Sequence, residues 1–227
     1  MRTVDYHNFQ PTHTSRKRES IEWSITYAYN ALDNISPRIL LIGDSICHGY
    51  HMKVREKLAE CANITFWAGS KCVTDPDYFR ELDFILDGGR FDVIFLNNGL
   101  HSITTNRLEW EEAFDSVIRF IAAKKPEAHL VLTLCTPLSD SAECSIVKEL
   151  NAIMRKLSER RSLPILDLYT PMEPLATTEH MLDIYHWKPQ GIDMQAELVA
   201  SYARAHLPAT DGIIQQGSKT GPEGAIQ

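Results

Sequence analysis

The segment Arg38-Ile-Leu-Leu-Ile-Gly43-Asp44-Ser45 decides the fold of this chain. Four consecutive aliphatic residues follow Arg38, and a glycine ends the run. An unbroken apolar run of this length is typical of a strand that is covered on both faces, as in a parallel sheet. Because Asp44 and Ser45 follow at once, the sequence places two polar side chains at the carboxyl end of this strand.

Four more apolar runs follow along the chain, at 64–67, 93–96, 130–135 and 165–168. Successive runs are separated by enough residues for one helix, and the stretch 110–121 has the clearest spacing of an amphipathic helix. This alternation is expected of βαβ units. We therefore predict an α/β fold, a three-layer α/β/α sandwich with a five-stranded parallel sheet that is doubly wound in the flavodoxin-like manner.

The 227 residues suffice for one well-buried domain, which we expect to span 38–207. The preceding segment, 1–37, is predicted to be an N-terminal extension in which residues 21–32 form a helix against the domain edge. The last segment, 208–227, is rich in glycine, glutamine and small residues, and we predict a mobile C-terminal tail.

Charge and composition argue against several classes of function. The formal net charge is -7 and basic residues are scattered among acidic ones, so no basic face is expected for nucleic acid. No apolar run approaches the length of a membrane span, and none resembles a signal-peptide core, so we expect a cytoplasmic protein. The five cysteines lack a CxxC pair, which argues against a disulfide framework and a zinc knuckle.

The position of Ser45 is the first indication of chemistry. In open parallel sheets the ligand crevice lies beyond the carboxyl ends of the strands. Gly43-Asp44-Ser45 sets the serine at the entrance to a helix whose first N–H groups point outward, where its hydroxyl can attack a carbonyl carbon. The alternative is that Ser45 only caps the helix. The sequence does not form a G-x-S-x-G elbow, because Cys47 occupies the position of the second glycine.

Asp183-Ile-Tyr-His186 lies in a turn-rich stretch that leads into the last predicted helix. A nucleophilic serine needs a base at its oxygen, and this base needs a hydrogen-bond acceptor on its other ring nitrogen. His186 and Asp183 can fill these two roles, because residues three apart can meet within one turn. Taken alone, such a pair is more often a surface pair or a local hydrogen bond than a catalytic one, and it gains its significance from the combination with Ser45.

Gly43-Asp44-Ser45 after the first strand, together with Asp183-x-x-His186 before the final helix, resembles the SGNH/GDSL hydrolase superfamily. The ordered pair spans residues 38–206. The resemblance implies that 38–207 is an SGNH hydrolase domain. It also implies a serine esterase acting on a small-molecule ester, with Ser45 as nucleophile and Asp183 and His186 as its catalytic partners.

The resemblance further implies an oxyanion hole that includes the Ser45 N–H, a glycine after the second strand and an asparagine after the third. Gly69 is the best-placed glycine, whereas the register of the third strand puts His101 at the asparagine position. An imidazole N–H, or the carboxamide of Asn97 or Asn98, can also donate to a developing oxyanion. Because some branches of the superfamily carry Asn-x-Gly-Leu-His here, we expect His101 near the hole with Asn97 supporting it. The alternative is that both asparagines only end the strand.

Three further residues are predicted to bind substrate: Asp44, Tyr185 and Trp187. The two aromatic rings can line an acyl or sugar pocket, although aromatic residues beside a turn often pack on a core. The cluster of Cys47, His48 and His51 contains metal-ligating residue types but no matched partner at diagnostic spacing. We therefore expect neither a metal nor a cofactor.

These observations favour a serine esterase or acylhydrolase that cleaves a small acyl or acetyl ester, with a carbohydrate as one candidate carrier. One alternative is an acyltransferase that uses the same site. Another is a binding protein that has kept the fold but lost activity, which the histidine at position 101 favours. A flavodoxin-like nucleotide binder ranks last, because the loop after the first strand lacks a glycine-rich phosphate cradle and Asp44 would repel an anion.

Overall fold

The computed structural model describes residues 4–208, which form a six-stranded sheet with helices on both faces. The strands are β1 (Ser24–Ala28), β2 (Arg38–Gly43), β3 (Asn63–Gly69), β4 (Val93–Leu96), β5 (His129–Thr133) and β6 (Ile165–Leu166). The helices are α1 (Ser45–Leu58), α2 (Pro76–Asp87), α3 (Arg107–Lys124), α4 (Ser141–Arg161) and α5 (Pro189–His206). Short 3-10 turns connect several of these elements.

The strand order is β1-β3-β2-β4-β5-β6, and every neighbouring pair from β3 to β6 is parallel. Strands β2 to β6 correspond to the five predicted apolar runs, so the prediction of a doubly wound parallel sheet is confirmed, with one strand more than expected. The chain runs from β2 to β3 on one side and then to β4 on the other. The carboxyl end of β2 therefore lies where the strand order reverses, which is where such sheets bind ligands.

Two apolar cores lie on opposite faces of the sheet. One core packs α2, α3 and α4 against the sheet through residues such as Leu82, Trp110 and Leu150. The other core packs α1 and α5 through residues such as Val54 and Val199. The predicted three-layer sandwich is thus present, since the apolar runs of the central strands are buried from both sides.

The sixth strand, β1, corrects the prediction of a helix within 21–32. Residues Ser24–Ala28 pair antiparallel with β3 at the edge of the sheet. Trp23, Ile25 and Tyr29 pack on the core that contains α1, and their separations of two and four residues place them on one face of an extended chain. The free edge of β3 supplies hydrogen-bond partners that a sequence pattern alone does not reveal, and these favour the extended conformation.

The predicted boundary of the main domain, 38–207, stays a prediction. The predicted tail, 208–227, lies outside the described residues except for Pro208. Within 4–208, none of the helices combines the length and the apolar character that crossing a lipid bilayer requires.

Candidate active site

Ser45 is the first residue of α1, directly beyond the carboxyl end of β2. Asp44 caps this helix, because its Oδ1 atom accepts a hydrogen bond from the Ile46 N–H at 2.9 Å. Gly43 permits the tight turn, since a Cβ atom there would lie only 2.5 Å from the Cβ of Cys47. As the first helical residue, Ser45 has a backbone N–H without an intrahelical carbonyl partner.

The loop that carries His186 is fixed by its neighbour in the chain. Met181 and Trp187 form an isolated antiparallel bridge, and the Leu182 N–H donates to the His186 carbonyl at 2.8 Å. Trp187 is buried against Gly191 at the start of α5, where a Cβ atom would lie 2.6 Å from the indole ring. The buried indole therefore anchors the loop while His186 stays at the surface.

The structure brings Ser45, His186 and Asp183 together. The Ser45 Oγ atom lies 3.0 Å from His186 Nε2, although 141 positions separate the two residues. His186 Nδ1 lies 2.8 Å from Asp183 Oδ2. The second carboxylate oxygen, Oδ1, accepts hydrogen bonds from the N–H groups of Tyr185 and His186, both at 2.8 Å. A continuous chain of hydrogen bonds thus joins the carboxylate to the serine hydroxyl.

These contacts favour the ionised form of Asp183. Burial alone would raise the pKa of Asp183, but the hydrogen bonds from the His186 ring and from the N–H groups of His186 and Tyr185 outweigh it and lower the pKa. A carboxylate only accepts, so the neutral His186 ring carries its proton on Nδ1. The lone pair of Nε2 then faces Ser45 and can accept the hydroxyl proton.

A cavity of about 520 Å³ opens beside Ser45 and His186. Its volume lies in the range that is usual for small-molecule sites. The side chains of His186 and Asp183 are 43% and 53% exposed, so solvent reaches the catalytic side of the cavity. Polar and aromatic side chains share the wall, including Glu19, Trp23, His101, Glu143 and Tyr185.

One wall of the cavity comes from residues 14–23, which we call the strap. Sequence reasoning placed this segment in an N-terminal extension and missed its contribution. Arg16 fixes the strap, because its buried guanidinium donates to the Asp75 carboxylate and, at 2.7 Å, to the Ser70 carbonyl. Glu19 and Trp23 then reach the cavity. The sequence around Arg16 gives no signal of this, since its partners lie more than fifty positions away.

The side-chain amides of Asn97 and Asn98 bond to neighbouring loops, and their donation to an oxyanion stays a prediction. The Asn97 Nδ2 group donates to the Thr133 carbonyl at 2.7 Å and to the Cys135 sulfur at 3.4 Å. The Asn98 Nδ2 group donates to the Lys71 carbonyl at 2.8 Å. Both asparagines are buried and hold neighbouring loops, as the alternative interpretation had it.

The remaining predicted residues fall into two groups. His101 and Tyr185 line the cavity. Asp44 and Trp187 do not, because Asp44 is a buried helix cap and Trp187 packs in the core, and their contact with substrate stays a prediction. Gly69 ends β3 opposite Ser24 of β1, and it is not among the residues that line the cavity.

The cysteine and histidine cluster near Ser45 does not converge on a metal. Cys47 is buried, His48 is exposed, and the His51 ring is hydrogen-bonded to the His48 carbonyl and the Tyr29 hydroxyl. Across 4–208, no three side chains of histidine, cysteine, aspartate or glutamate are grouped as metal ligands.

No protein family model matches the sequence, and no curated protein sequence matches it either. Solved structures do match. The acetyl xylan esterase AlAXEase is 16% identical with a TM-score of 0.61, over 73% of this chain and 98% of that one. The lipase/acylhydrolase from Enterococcus faecalis is 19% identical with a TM-score of 0.56, over 76% and 97% of the two chains.

A GDSL-like lipase from Bacteroides thetaiotaomicron is 16% identical with a TM-score of 0.57, over 74% of this chain and 88% of that one. Identities this low establish a common architecture and leave the chemistry to be argued from the residues. The chain therefore has the fold of the SGNH/GDSL hydrolases.

Proposed function

We propose that the protein is a serine esterase that cleaves small acyl esters through Ser45, His186 and Asp183. The observation that carries the proposal is the distance of 3.0 Å between Ser45 Oγ and His186 Nε2, at the end of the hydrogen-bond chain from Asp183. In the first step His186 takes the Ser45 proton while Oγ attacks the ester carbonyl carbon. Asp183 stabilises the imidazolium, which then protonates the departing alcohol.

The tetrahedral intermediate carries a negative oxygen that needs hydrogen-bond donors. The Ser45 N–H stands at the N-terminus of α1, where the helix dipole favours negative charge. We therefore assign the Ser45 N–H as a donor to the oxyanion. Donation by the Gly69 N–H stays a prediction. Water then hydrolyses the acyl enzyme, with His186 as the base.

Water is the acceptor that the site favours over a second alcohol. His186 is 43% exposed on its side chain, so bulk water reaches the acyl enzyme without any opening step. An acyltransferase gains from excluding water at this stage. Hydrolysis in the presence of added alcohols, with both products quantified, distinguishes the two reactions.

The cavity favours an acetyl or similarly short ester on a sugar-like carrier. Trp23 and Tyr185 offer flat apolar faces, and the carboxylates of Glu19 and Glu143 can accept hydrogen bonds from hydroxyl groups. A volume of about 520 Å³ is large enough for one or two sugar units. The architecture of AlAXEase, an acetyl xylan esterase, agrees with this choice.

Two assays test the proposal. One is labelling with a fluorophosphonate, measured by intact mass, and the other is hydrolysis of 4-nitrophenyl acetate. We expect one adduct on the wild type and none on Ser45→Ala or His186→Ala, with ester hydrolysis lost in parallel. Ser201→Ala is the matched control, because Ser201 is exposed on α5 and contacts only Glu197. An adduct that persists in Ser45→Ala contradicts the proposal. A folded wild type that neither reacts nor hydrolyses esters supports a binding protein instead.

A further inference from the structure

His101 shares the cavity with Ser45 and His186 but lies on a different element. It belongs to the 3-10 turn Leu100–Ser102 that follows β4. The Ser102 hydroxyl closes this turn by donating to the Gly99 carbonyl at 2.8 Å. The turn therefore presents a second imidazole to the cavity from a fixed backbone.

The strap determines which nitrogen of His101 carries the proton. His101 Nδ1 lies 2.5 Å from Glu19 Oε1. A carboxylate only accepts, so Nδ1 is the donor, and in the neutral ring Nε2 is left with a lone pair. Nε2 can then accept a hydrogen bond but has no proton to give.

Glu19 is itself fixed before any ligand arrives. Its backbone N–H donates to Glu22 Oε1 at 3.0 Å, and the Arg16 guanidinium lies 3.7 Å from its Oε1 atom. Arg16 is in turn buried against Asp75. The orientation of the His101 ring is therefore maintained through the strap by a buried ion pair.

The second ring nitrogen of His101, Nε2, has no hydrogen-bond partner in the part of the chain that the structure describes. Nε2 is buried, and no donor among residues 4–208 lies within hydrogen-bond distance. The Trp23 ring stands edge-on to the imidazole, with ring centres 6.2 Å apart, and shields one side. A shielded acceptor without a donor is unfavourable, so a ligand hydroxyl that reaches Nε2 when the shielding side chains shift would supply a hydrogen bond that the free protein lacks.

We propose that His101 selects the substrate: its Nε2 atom accepts a hydrogen bond from a free hydroxyl next to the ester, on the alcohol part of the molecule. The substrate class is then an acyl ester of a sugar or polyol with an unprotected neighbouring hydroxyl. This inference rests on the proposed function and replaces the expectation that His101 donates to the oxyanion. In the neutral ring the one N–H donates a hydrogen bond to Glu19, so no second N–H is left for that role.

The test compares three acetate esters in kcat/KM. The first is a methyl glycoside acetylated beside a free hydroxyl, the second is the same compound with that hydroxyl methylated, and the third is 4-nitrophenyl acetate. We expect the wild type to prefer the first over the second by about 10–100-fold, which is the usual value of one buried hydrogen bond. We expect His101→Phe to remove this preference, and to lower kcat/KM for the first ester by at least about tenfold more than for 4-nitrophenyl acetate.

Glu19→Ala is a second variant. It keeps the His101 ring but removes the acceptor that fixes the proton on Nδ1. We expect it to weaken the preference for the free over the methylated hydroxyl. Arg18→Ala is the matched control on the strap, because the one side-chain contact of Arg18 among residues 4–208 is its exposed ion pair with Asp77. We expect that control to keep the wild-type preference. Thermal unfolding of each variant confirms that the comparison is made on folded protein.

Equal loss on all three esters in His101→Phe would overturn the inference, since it would mean that His101 acts on the oxyanion. A wild type that does not distinguish the free from the methylated hydroxyl would overturn it too. Failure of the proposed function looks different, because no ester is then hydrolysed and no fluorophosphonate adduct forms. In that case calorimetry compares the affinities of the two acetylated glycosides, one with the free and one with the methylated hydroxyl. Equal affinities contradict the role of His101.

Discussion

Arg16 and Asp75 form an ion pair that is closed to solvent, with side chains that are 1% and 0% exposed. The guanidinium also lies 3.2 Å from a Glu22 carboxylate oxygen, and Asp75 Oδ2 accepts the Cys72 N–H at 3.0 Å. The pair thus joins the strap to the loop between β3 and α2. Its loss should affect the fold and the wall of the cavity together.

Arg16→Met should lower the free energy of unfolding by about 3–5 kcal/mol, because it leaves the Asp75 charge buried without a partner. Urea unfolding measures the change. Arg16→Met combined with Asp75→Asn should recover part of the loss, since the unpaired charge is then gone. Arg18→Met, which removes an exposed pair, should cost less than about 1 kcal/mol. A loss below about 1 kcal/mol in Arg16→Met would show that the pair does not anchor the strap.

Asp183→Asn should lower kcat/KM for 4-nitrophenyl acetate by about 10²–10⁴ with little effect on stability. The neutral amide cannot stabilise the imidazolium of His186. If its NH₂ group donates to Nδ1, the ring carries its proton on Nε2 and can no longer accept the Ser45 proton there. Asp193→Asn is the control, since Asp193 is an exposed acid on α5 that pairs only with Lys57. Activity within threefold of the wild type in Asp183→Asn would remove Asp183 from the mechanism.

Asp115 makes stability depend on pH. Burial tends to raise the pKa of Asp115, but hydrogen bonds from Arg161 and Arg160 outweigh it and hold the pKa below its ordinary value of 3.8. A group with a lowered folded-state pKa stabilises the fold above its unfolded-state pKa, and this stabilisation disappears as the pH falls through the folded-state pKa.

Asp115→Asn should therefore lower the free energy of unfolding at pH 7 by about 1–2 kcal/mol, because it breaks the link between α3 and α4. The difference from the wild type should shrink steadily as the pH falls below about 4. Urea unfolding at a series of pH values measures this. A difference that stays constant from pH 7 to pH 3 would contradict the assignment.

Gly99 packs directly on Cys135, and a Cβ atom at position 99 would lie 2.0 Å from the Cys135 sulfur but 3.7 Å from its Cβ. Gly99→Ala should destabilise the protein by about 1–3 kcal/mol through this overlap. Cys135→Ala should recover most of the loss in the double variant, because the overlapping sulfur is removed. Equal destabilisation of Gly99→Ala in both backgrounds would mean that backbone conformation, and not the contact, requires the glycine.

The sequence predicts the central sheet well because its strands are buried on both faces and appear as unbroken apolar runs. Strand β1 is different. Within β1 only Ile25 packs on the core, with Trp23 and Tyr29 on either side of the strand, and the segment around Trp23 can equally be drawn as one face of a helix. Its conformation is decided by pairing with β3, about forty positions away, and no local pattern records that pairing.

In the candidate site, too, the sequence predicts some residues and only the structure reveals others. Ser45, His186 and Asp183 are found from the sequence because each follows a recognisable strand end or stands in a short motif. The partners of Asn97 are found only in the structure, since the Thr133 carbonyl and the Cys135 sulfur come from the loop after β5. For the same reason Glu19, which contacts His101 across 82 positions, has no sequence signal.

Asp183 and His186 belong to one short loop, whereas Ser45 belongs to another element. A fluctuation that lifts the loop from the sheet therefore carries the acid and the imidazole away as a unit, with their mutual hydrogen bond unbroken. The loop is also held by the Ser139 N–H, which donates to the Ile184 carbonyl at 3.2 Å. If the proposed mechanism holds, the base therefore keeps its orientation relative to the acid whenever the loop shifts against α1.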